Sequence, residues 1–390
     1  MSGSFTPQPL EKNGSFLFYN GEIYNYQSIG KFSSDSEAIL SLYNSEGISG
    51  LAQLDGEFAI CIIDTKKGEM VLATDTFGTK PLHISKFGGY EWGVSSLPSL
   101  FAQYPSKRFK PNHIMRIRYS DLHVLEELPL KNFSLKQYKT NYDDFFLSIV
   151  NSMKKRTNMN PVPFVPISSG IDSGTIAATL DEIGVPFVSS TFLGHEDLSI
   201  IKARIEKRKG PAYVFPEPPK EVIESYRIQF ENEVDDFYYG PNNELRTRRG
   251  KDDPGALALF ILLLDIKQRH PVQVVLSGQG GDEIMGTIQT YTFGKPNPSF
   301  FPENLAQVFP WENFFQGANS SYLLKEENIA SNFGIETRYP LLDFDVVQEF
   351  LYLVPALKNP GSKRPLSEYL KSLNYPHNSL KAGFSYVSPK

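Results

Sequence analysis

The chain has 390 residues, 40% of them hydrophobic and 21% charged, with a formal net charge of -5. That is the composition of a soluble globular protein long enough for two domains, and its acidic balance argues against a general nucleic-acid binder. Cys61 is the only cysteine, which excludes an internal disulfide framework; no charged-then-apolar signal pattern opens the chain, and the longest apolar run, Ala256 to Leu264, is far too short to cross a membrane, so a cytoplasmic protein without membrane contact is expected.

In chain order, the first stretch alternates short apolar segments with turns. Glu57-Phe58-Ala59-Ile60-Cys61-Ile62-Ile63-Asp64, then Thr65-Lys66-Lys67-Gly68, then Met70-Val71-Leu72-Ala73 predict a β-hairpin. Past residues 130 to 140 the pattern changes. Phe145, Phe146, Ile149, Val150 and Met153 fall on one helical face, with Asp143 and Asp144 in the first turn and Lys154 to Arg156 in the last, and a buried strand follows at Phe164 to Ile167. Domains are therefore expected at 1–135, mainly antiparallel, and 136–390, a parallel α/β domain.

That strand runs into Ser168-Ser169-Gly170-Ile171-Asp172-Ser173-Gly174 and then Thr175 to Leu180, which reads as strand, tight turn and helix. A helix start points unpaired N–H groups and the positive end of its dipole at whatever fills the turn, so an anion belongs there. No Gly-Lys-Ser/Thr ending is present, so this is not the loop that grips β- and γ-phosphates with a lysine. Ser168, Ser169 and Ser173 offer hydroxyl donors, and Asp172 a carboxylate, which beside a phosphate implies a metal ion between them. An ordinary Ser/Gly helix cap is the plainer alternative.

Lys202 to Lys209 is a basic cluster and Arg246 to Lys251 another, each read as a solvated charged face. Asp252, Asp253 and Pro254 mark a helix start ahead of Ala256 to Leu264, which reads as a buried helix. Val272 to Leu276 is a second β-branched strand, running into Ser277-Gly278-Gln279-Gly280-Gly281-Asp282-Glu283. Two Gly-rich turns at the carboxyl ends of parallel strands form one ligand site.

These residues resemble a known family. Ser168 to Ser173 is similar to the pyrophosphate loop of asparagine synthetases, and Leu276 to Glu283 to their second nucleotide-site loop. Gly334-Ile335-Glu336-Thr337-Arg338-Tyr339-Pro340-Leu341-Leu342-Asp343 resembles the Glu-x-Arg-x-Pro-x-Leu-Asp block, Lys363-Arg364-Pro365-Leu366 the catalytic-lysine segment, and Lys381-Ala382-Gly383-Phe384 a block near the end of the synthetase core. Upstream, Asn20-Gly21-Glu22-Ile23-Tyr24-Asn25 and Asp75-Thr76-Phe77-Gly78-Thr79-Lys80-Pro81-Leu82 resemble a class II glutamine amidotransferase domain.

The resemblance implies a parallel sheet of the ATP-pyrophosphatase (adenine nucleotide alpha hydrolase-like) type, preceded by a smaller, mainly antiparallel remnant of an Ntn-type amidotransferase domain. It implies ATP and Mg²⁺, with Ser168, Ser169, Gly170, Asp172, Ser173, Ser277 and Gly278 at the nucleotide and Asp172 and Asp282 on the metal. Lys363 would stabilise the adenylation centre and the later oxyanion. Gln279 stands where many asparagine synthetases carry an acidic residue at the ammonia site, and a neutral amide can position an amine but is no base. Glu336 is either a participant in amine deprotonation or an ion-pair partner of Arg338.

The front of the chain departs from the family. Glutamine-using members begin with a cysteine that attacks the glutamine amide; this sequence begins Met1-Ser2-Gly3-Ser4-Phe5, and Asn20-Gly21-Glu22 arrives several dozen residues early. Cys61, mid-strand in an apolar run, reads as a packed hydrophobe, and nothing around Ser2 matches a nucleophile. Loss of glutaminase activity is expected, with Asn20, Gly21, Glu22 and Asp35 a vestigial glutamine site whose plainer role is to close turns and cap the helix that follows Asp35.

The expected activity is ATP-dependent conversion of aspartate to asparagine with ammonia, through an acyl-adenylate, releasing AMP and pyrophosphate. Two alternatives stand beside it: a related cyclase or amide ligase, β-lactam-synthetase-like, acting on another carboxylate, and an inactive ATP-binding or partner-binding regulatory paralogue. Small-molecule substrates are the expected partners, with no nucleic acid; a homodimer and a separate glutaminase stay open.

Overall fold

The computed structural model describes residues 6–88, 91–101, 104–158, 162–193, 196–239, 248–286, 300–359 and 361–377. Ser2, the Lys381 to Phe384 block and residues 246 and 247 of the Arg246 to Lys251 cluster lie outside them. The chain divides into two compact units, Met1–Phe133 and Ser134–Lys390.

The first unit is built on a six-stranded sheet in the order β1-β2-β3-β4-β8-β9, all pairs antiparallel. The strands are β1 (Leu10–Lys12), β2 (Ser15–Ile23), β3 (Gly56–Asp64), β4 (Glu69–Thr74), β8 (His113–Arg118) and β9 (His123–Pro129). A second sheet, β6-β5-β7, joins β5 (His83–Gly88), β6 (Glu91–Ser95) and β7 (Ser106–Arg108). The predicted hairpin is β3–β4. Its first strand is apolar at nearly every position because both faces are covered: Ile60 and Ile62 pack with Ala38, Ile39 and Tyr43 of the helix Asp35–Glu46, while Ala59 and Cys61 pack with Leu82 and Phe109. Cys61 is buried, and burial pushes its thiol up to about 12.

The second unit carries a parallel sheet in the order β12-β11-β10-β15-β16, made of β10 (Phe164–Pro166), β11 (Val188–Phe192), β12 (Ala212–Phe215), β15 (Val274–Leu276) and β16 (Glu336–Arg338). Two further short strands, β13 (Tyr238–Tyr239) and β14 (Arg248–Arg249), pair apart from it. The chain thus combines a mainly antiparallel front unit with a parallel α/β unit, as expected.

The helix predicted ahead of β10 spans Asp143–Thr157 and buries Phe145, Ile149 and Met153. The apolar helix spans Pro254–Arg269; Asp253 caps it by accepting the Gly255 N–H at 2.9 Å, and both its faces enter the core with Phe164, Val188 and Val275. Among the described residues no helix is long and apolar enough to cross a membrane.

One helix start and two basic clusters differ from what the sequence suggests. The helix after β10 begins at Ile171, with Gly170 extended at its N-cap, so Asp172 and Ser173 occupy its first turn. The basic cluster Lys202 to Lys209 is also not one solvated face: Arg204 and Arg208 are buried, leaving Lys202, Lys207 and Lys209 exposed. In the second cluster Arg249 pairs with Glu231 and Asp236, and Lys251 is buried against the Glu231 carbonyl.

Topology selects the site. From β10 the chain extends the sheet first through β11 and β12, and only later adds β15 and β16 on the opposite side. The crevice at the carboxyl ends of β10 and β15 is the switch point where such sheets bind ligands.

Candidate active site

The turn after β10 is held by its own hydroxyls. The Ser168 N–H donates to Ser173 Oγ at 3.0 Å, the Ser168 and Ser173 hydroxyls lie 2.7 Å apart, and the Gly170 N–H donates to Ser168 Oγ at 3.2 Å. Ser169 turns elsewhere: its N–H and its hydroxyl both donate to Glu196 Oε2, the hydroxyl at 2.5 Å. Of the three serines, Ser168 and Ser173 line the turn, and Ser169 anchors it.

The second turn follows β15 and approaches the first more closely than side chains would allow. A Cβ on Gly278 would stand 2.8 Å from the Asp172 carbonyl carbon, and one on Gly281 would stand 2.2 Å from Asp172 Oδ1. Gly280 has φ +98°, open to glycine at little cost, and its N–H donates to Glu283 Oε2 at 3.2 Å. Ser277 Oγ accepts the Gln279 N–H at 3.1 Å. The Gln279 Nε2 is buried and makes no hydrogen bond among the described residues, a donor available to a ligand.

Lys363 joins the two turns. It is 7% exposed, at the N-cap of the helix Arg364–Ser372 with Pro365 just behind, in a left-handed backbone conformation, φ +55°. A non-glycine residue held there costs on the order of 1–3 kcal/mol, and such strain concentrates at functional sites. Its ammonium lies 2.7 Å from Asp172 Oδ2 and 2.8 Å from Asp282 Oδ1. Burial works to lower the Lys363 ammonium, and the two carboxylates overcome it and hold the group above its ordinary range. Glu283 beside them is buried; burial, then Asp282 and Asp172, push its carboxyl up to about 7 against a backbone hydrogen bond and the pull of Lys363.

A magnesium ion fits this donor set in one way. Among the described residues no group of three or more His, Cys, Asp or Glu could form an all-protein cage. Mg²⁺ is commonly held by one or two carboxylates, with substrate phosphates and water completing its shell. Asp172 and Asp282, converging within 2.8 Å of a single cation, meet that description.

Glu336 is differently placed. On β16 it pairs with Val274, two residues before the strand end at Leu276, and its two oxygens accept from Arg338 Nε at 3.0 Å and Nη2 at 3.3 Å. Arg338 in turn donates to the Arg156 carbonyl at 2.7 Å. Asp343, closing the same block, bonds Arg156 and Lys155 at 2.7 Å each and caps the helix Phe344–Tyr352 through the Asp345 N–H. Burial opposes ionisation of Asp343, and the two cations hold its carboxyl low.

In the first unit, Asn20 Nδ2 donates weakly to Ser96 Oγ at 3.4 Å, at the wall of a cleft of about 430 Å³ also lined by Phe18, Cys61, Trp92 and Val94. Gly21 has φ +132°, and a Cβ there would fall 1.9 Å from the Glu57 carbonyl oxygen, so close strand pairing accounts for the glycine. Glu22 is buried. Asp35 does not cap the helix as expected: the helix begins at Asp35 with Ser34 at its N-cap, and the Asp35 carboxylate accepts from Tyr19 OH at 2.8 Å, Ile23 N at 3.2 Å and Ser36 N at 2.8 Å. Its position inside the first turn turns it back onto β2.

Sequence reasoning passed over Glu196, Glu283 and Arg204. Glu283 closes the quoted Asp-Glu pair and could have been singled out; Glu196 and Arg204 reach the turn only through the fold.

Residues 3–127 match a family model described as a glutamine amidotransferase domain, and residues 148–303 one described as asparagine synthase; Glu336 and Lys363 lie beyond both. A probable asparagine synthetase [glutamine-hydrolyzing] of Acanthamoeba polyphaga mimivirus is 26% identical, covering 90% of this chain and 67% of its own length. The asparagine synthetase [glutamine-hydrolyzing] of Gallus gallus is 25% identical, covering 94% and 69%, and that of Homo sapiens 26%, covering 88% and 66%. The chain thus spans about two thirds of the length of these relatives. Among solved structures, a glutamine phosphoribosylpyrophosphate amidotransferase from B. subtilis, complexed with ADP and GMP, matches 87% of this chain and 74% of its own at 14% identity, with a TM-score of 0.28.

Proposed function

Since the chain belongs to the asparagine synthetase family, a ligase family, we propose that it forms an amide from aspartate and ammonia at the expense of ATP, releasing AMP and pyrophosphate. The observation that carries this reading is the Lys363 ammonium between Asp172 and Asp282, across the two turns at the switch point. A carboxylate is a poor acyl donor. One of its oxygens attacks the α-phosphorus, the bond to the β-phosphate bridge breaks, and an acyl-adenylate and pyrophosphate result; ammonia then attacks the acyl carbon, the C–O bond to AMP breaks, and the amide, AMP and a proton are released.

Each group has a part. Ser168, Gly170, Ser173 and the N–H groups of the helix start receive the pyrophosphate, with Ser169 fixing the turn from behind; Ser277 and Gly278 border the nucleotide from the second turn. Asp172 and Asp282 would hold Mg²⁺, which supplies charge neutralisation to the leaving pyrophosphate. Lys363 meets the charge that grows on the adenylation centre, as a compact cation on a flexible stem can. Gln279 positions the amine, and Glu336 keeps the Arg338 pair in place.

For the nitrogen source, the sole thiol of the first unit is Cys61, buried and pushed up to about 12, which makes it no nucleophile. Ammonium is therefore expected to support formation of AMP, pyrophosphate and asparagine by the purified chain with ATP, Mg²⁺ and aspartate. Glutamine is expected to give neither turnover nor glutamate. Glutamine hydrolysis that survives Cys61→Ala contradicts this account of the first unit, and AMP formation from another carboxylate without ammonium moves the assignment to an intramolecular amide ligase.

A further inference from the structure

Arg204, on the helix Leu198–Lys207, is 0% exposed, and no carboxylate pairs with it within ion-pair distance among the described residues. Its hydrogen bonds go to main-chain carbonyls: Nη1 donates to Ser168 O and, at 3.0 Å, to Gly170 O, while Nε donates to Pro376 O at 2.9 Å. Nη2 makes no hydrogen bond among the described residues and lies 2.4 Å from where a Cβ on Gly174 would stand. Beyond these carbonyls the guanidinium has the Tyr375 ring, 5.6 Å away, and the longer-range charge of Glu196, and a cation so buried is costly unless further negative charge shares its surroundings.

A trans peptide points its C=O and the following N–H in opposite directions. With the Ser168 carbonyl drawn to Arg204, the Ser169 N–H faces away, toward Glu196 Oε2, which accepts it. The Gly170 carbonyl is shared between Arg204 at 3.0 Å and the Gly174 N–H of the helix at 3.2 Å, and the Ile171 N–H across that peptide, one of the orphan donors of the helix start, faces away from both. Through Pro376 the same guanidinium grips the segment that follows the helix capped by Lys363, and Lys207 Nζ reinforces that grip on Asn374 O at 2.6 Å.

We propose that Arg204 is a positioning residue for the pyrophosphate turn, orienting the donors of that turn and tying them to the Lys363 helix, with its buried charge offset when pyrophosphate binds. This rests on reading the Ser168 to Ser173 turn as the pyrophosphate site.

The test compares the full chain with Arg204→Gln and Arg204→Lys, measuring Mg²⁺-dependent binding of inorganic pyrophosphate by calorimetry, KM for ATP and for the carboxylate, and thermal stability. Both variants are expected to bind pyrophosphate about 10-fold or more weakly, as loss of a hydrogen bond from a charged group does. KM for ATP should rise with it while KM for the carboxylate stays within about threefold of the parent. Should Arg204→Gln not fold, Arg204→Lys carries the test: it keeps the buried charge but lacks the fork that spans two carbonyls and Pro376. Variants that bind pyrophosphate as the parent does, or that lose only folded protein with every KM unchanged, overturn the inference. A parent chain that binds no pyrophosphate overturns the turn's assignment itself, and the inference with it.

Discussion

Lys363→Ala lowers kcat and kcat/KM together, by on the order of 10² to 10³ or more, as removal of a preorganised charge-stabilising donor does, and leaves ATP binding nearly intact. That pairing of effects marks an interaction made mainly in the transition state. Lys363→Arg restores little, because a planar fork cannot occupy the point between Asp172 Oδ2 and Asp282 Oδ1 that a single nitrogen occupies at 2.7 and 2.8 Å. Loss of the ammonium also removes part of what opposes the upward push on Glu283, a backbone hydrogen bond supplying the larger part, so that carboxyl is expected to titrate higher in the alanine variant. Steady-state kinetics and a carboxyl titration followed by NMR check the two parts. Turnover by the alanine variant within a few-fold of the parent would make Lys363 a structural residue and remove the transition-state role assigned to it.

Asp172→Asn and Asp282→Asn each cut the rate by orders of magnitude and raise the Mg²⁺ concentration needed for half-maximal activity. The substitution keeps size and removes charge, so the loss measures how far the site depends on paired carboxylates around a cation. Both variants retain one partner for Lys363, which limits the cost to folding relative to stranding a buried cation outright. A magnesium titration in each variant is the measurement. An unchanged Mg²⁺ requirement at full activity contradicts the assignment of these two residues.

Local chemistry made part of this legible. The runs Phe164 to Ile167 and Val272 to Leu276, each ending in Ser and Gly, are strands that deliver turns to the same edge of a parallel sheet, because a β-branched apolar run buried on two faces has few other structures open to it. Glycines at 278 and 281 read as turn residues in sequence; only the fold shows that they let one turn lie against Asp172.

What stayed hidden depends on partners far away in the chain. Arg204 sits among lysines, and nothing local distinguishes it from a solvated charge, because the carbonyls that bind it are more than thirty residues distant. Ser169 looks identical to Ser168 until Glu196 claims it. Glu336 kept two readings in sequence, since its pairing with Arg338 is compatible with either.

Adenylation of a carboxylate at this site is tested most directly by oxygen transfer. With aspartate labelled by ¹⁸O in its side-chain carboxylate, ATP, Mg²⁺ and ammonium, the oxygen that attacks the α-phosphorus stays with phosphorus when the acyl–O bond breaks. Mass spectrometry of the nucleotide product should find one ¹⁸O in AMP for each amide formed, with pyrophosphate unlabelled. Label in inorganic phosphate alongside ADP, or AMP without label, would contradict the acyl-adenylate and with it the proposed chemistry of Lys363, Asp172 and Asp282.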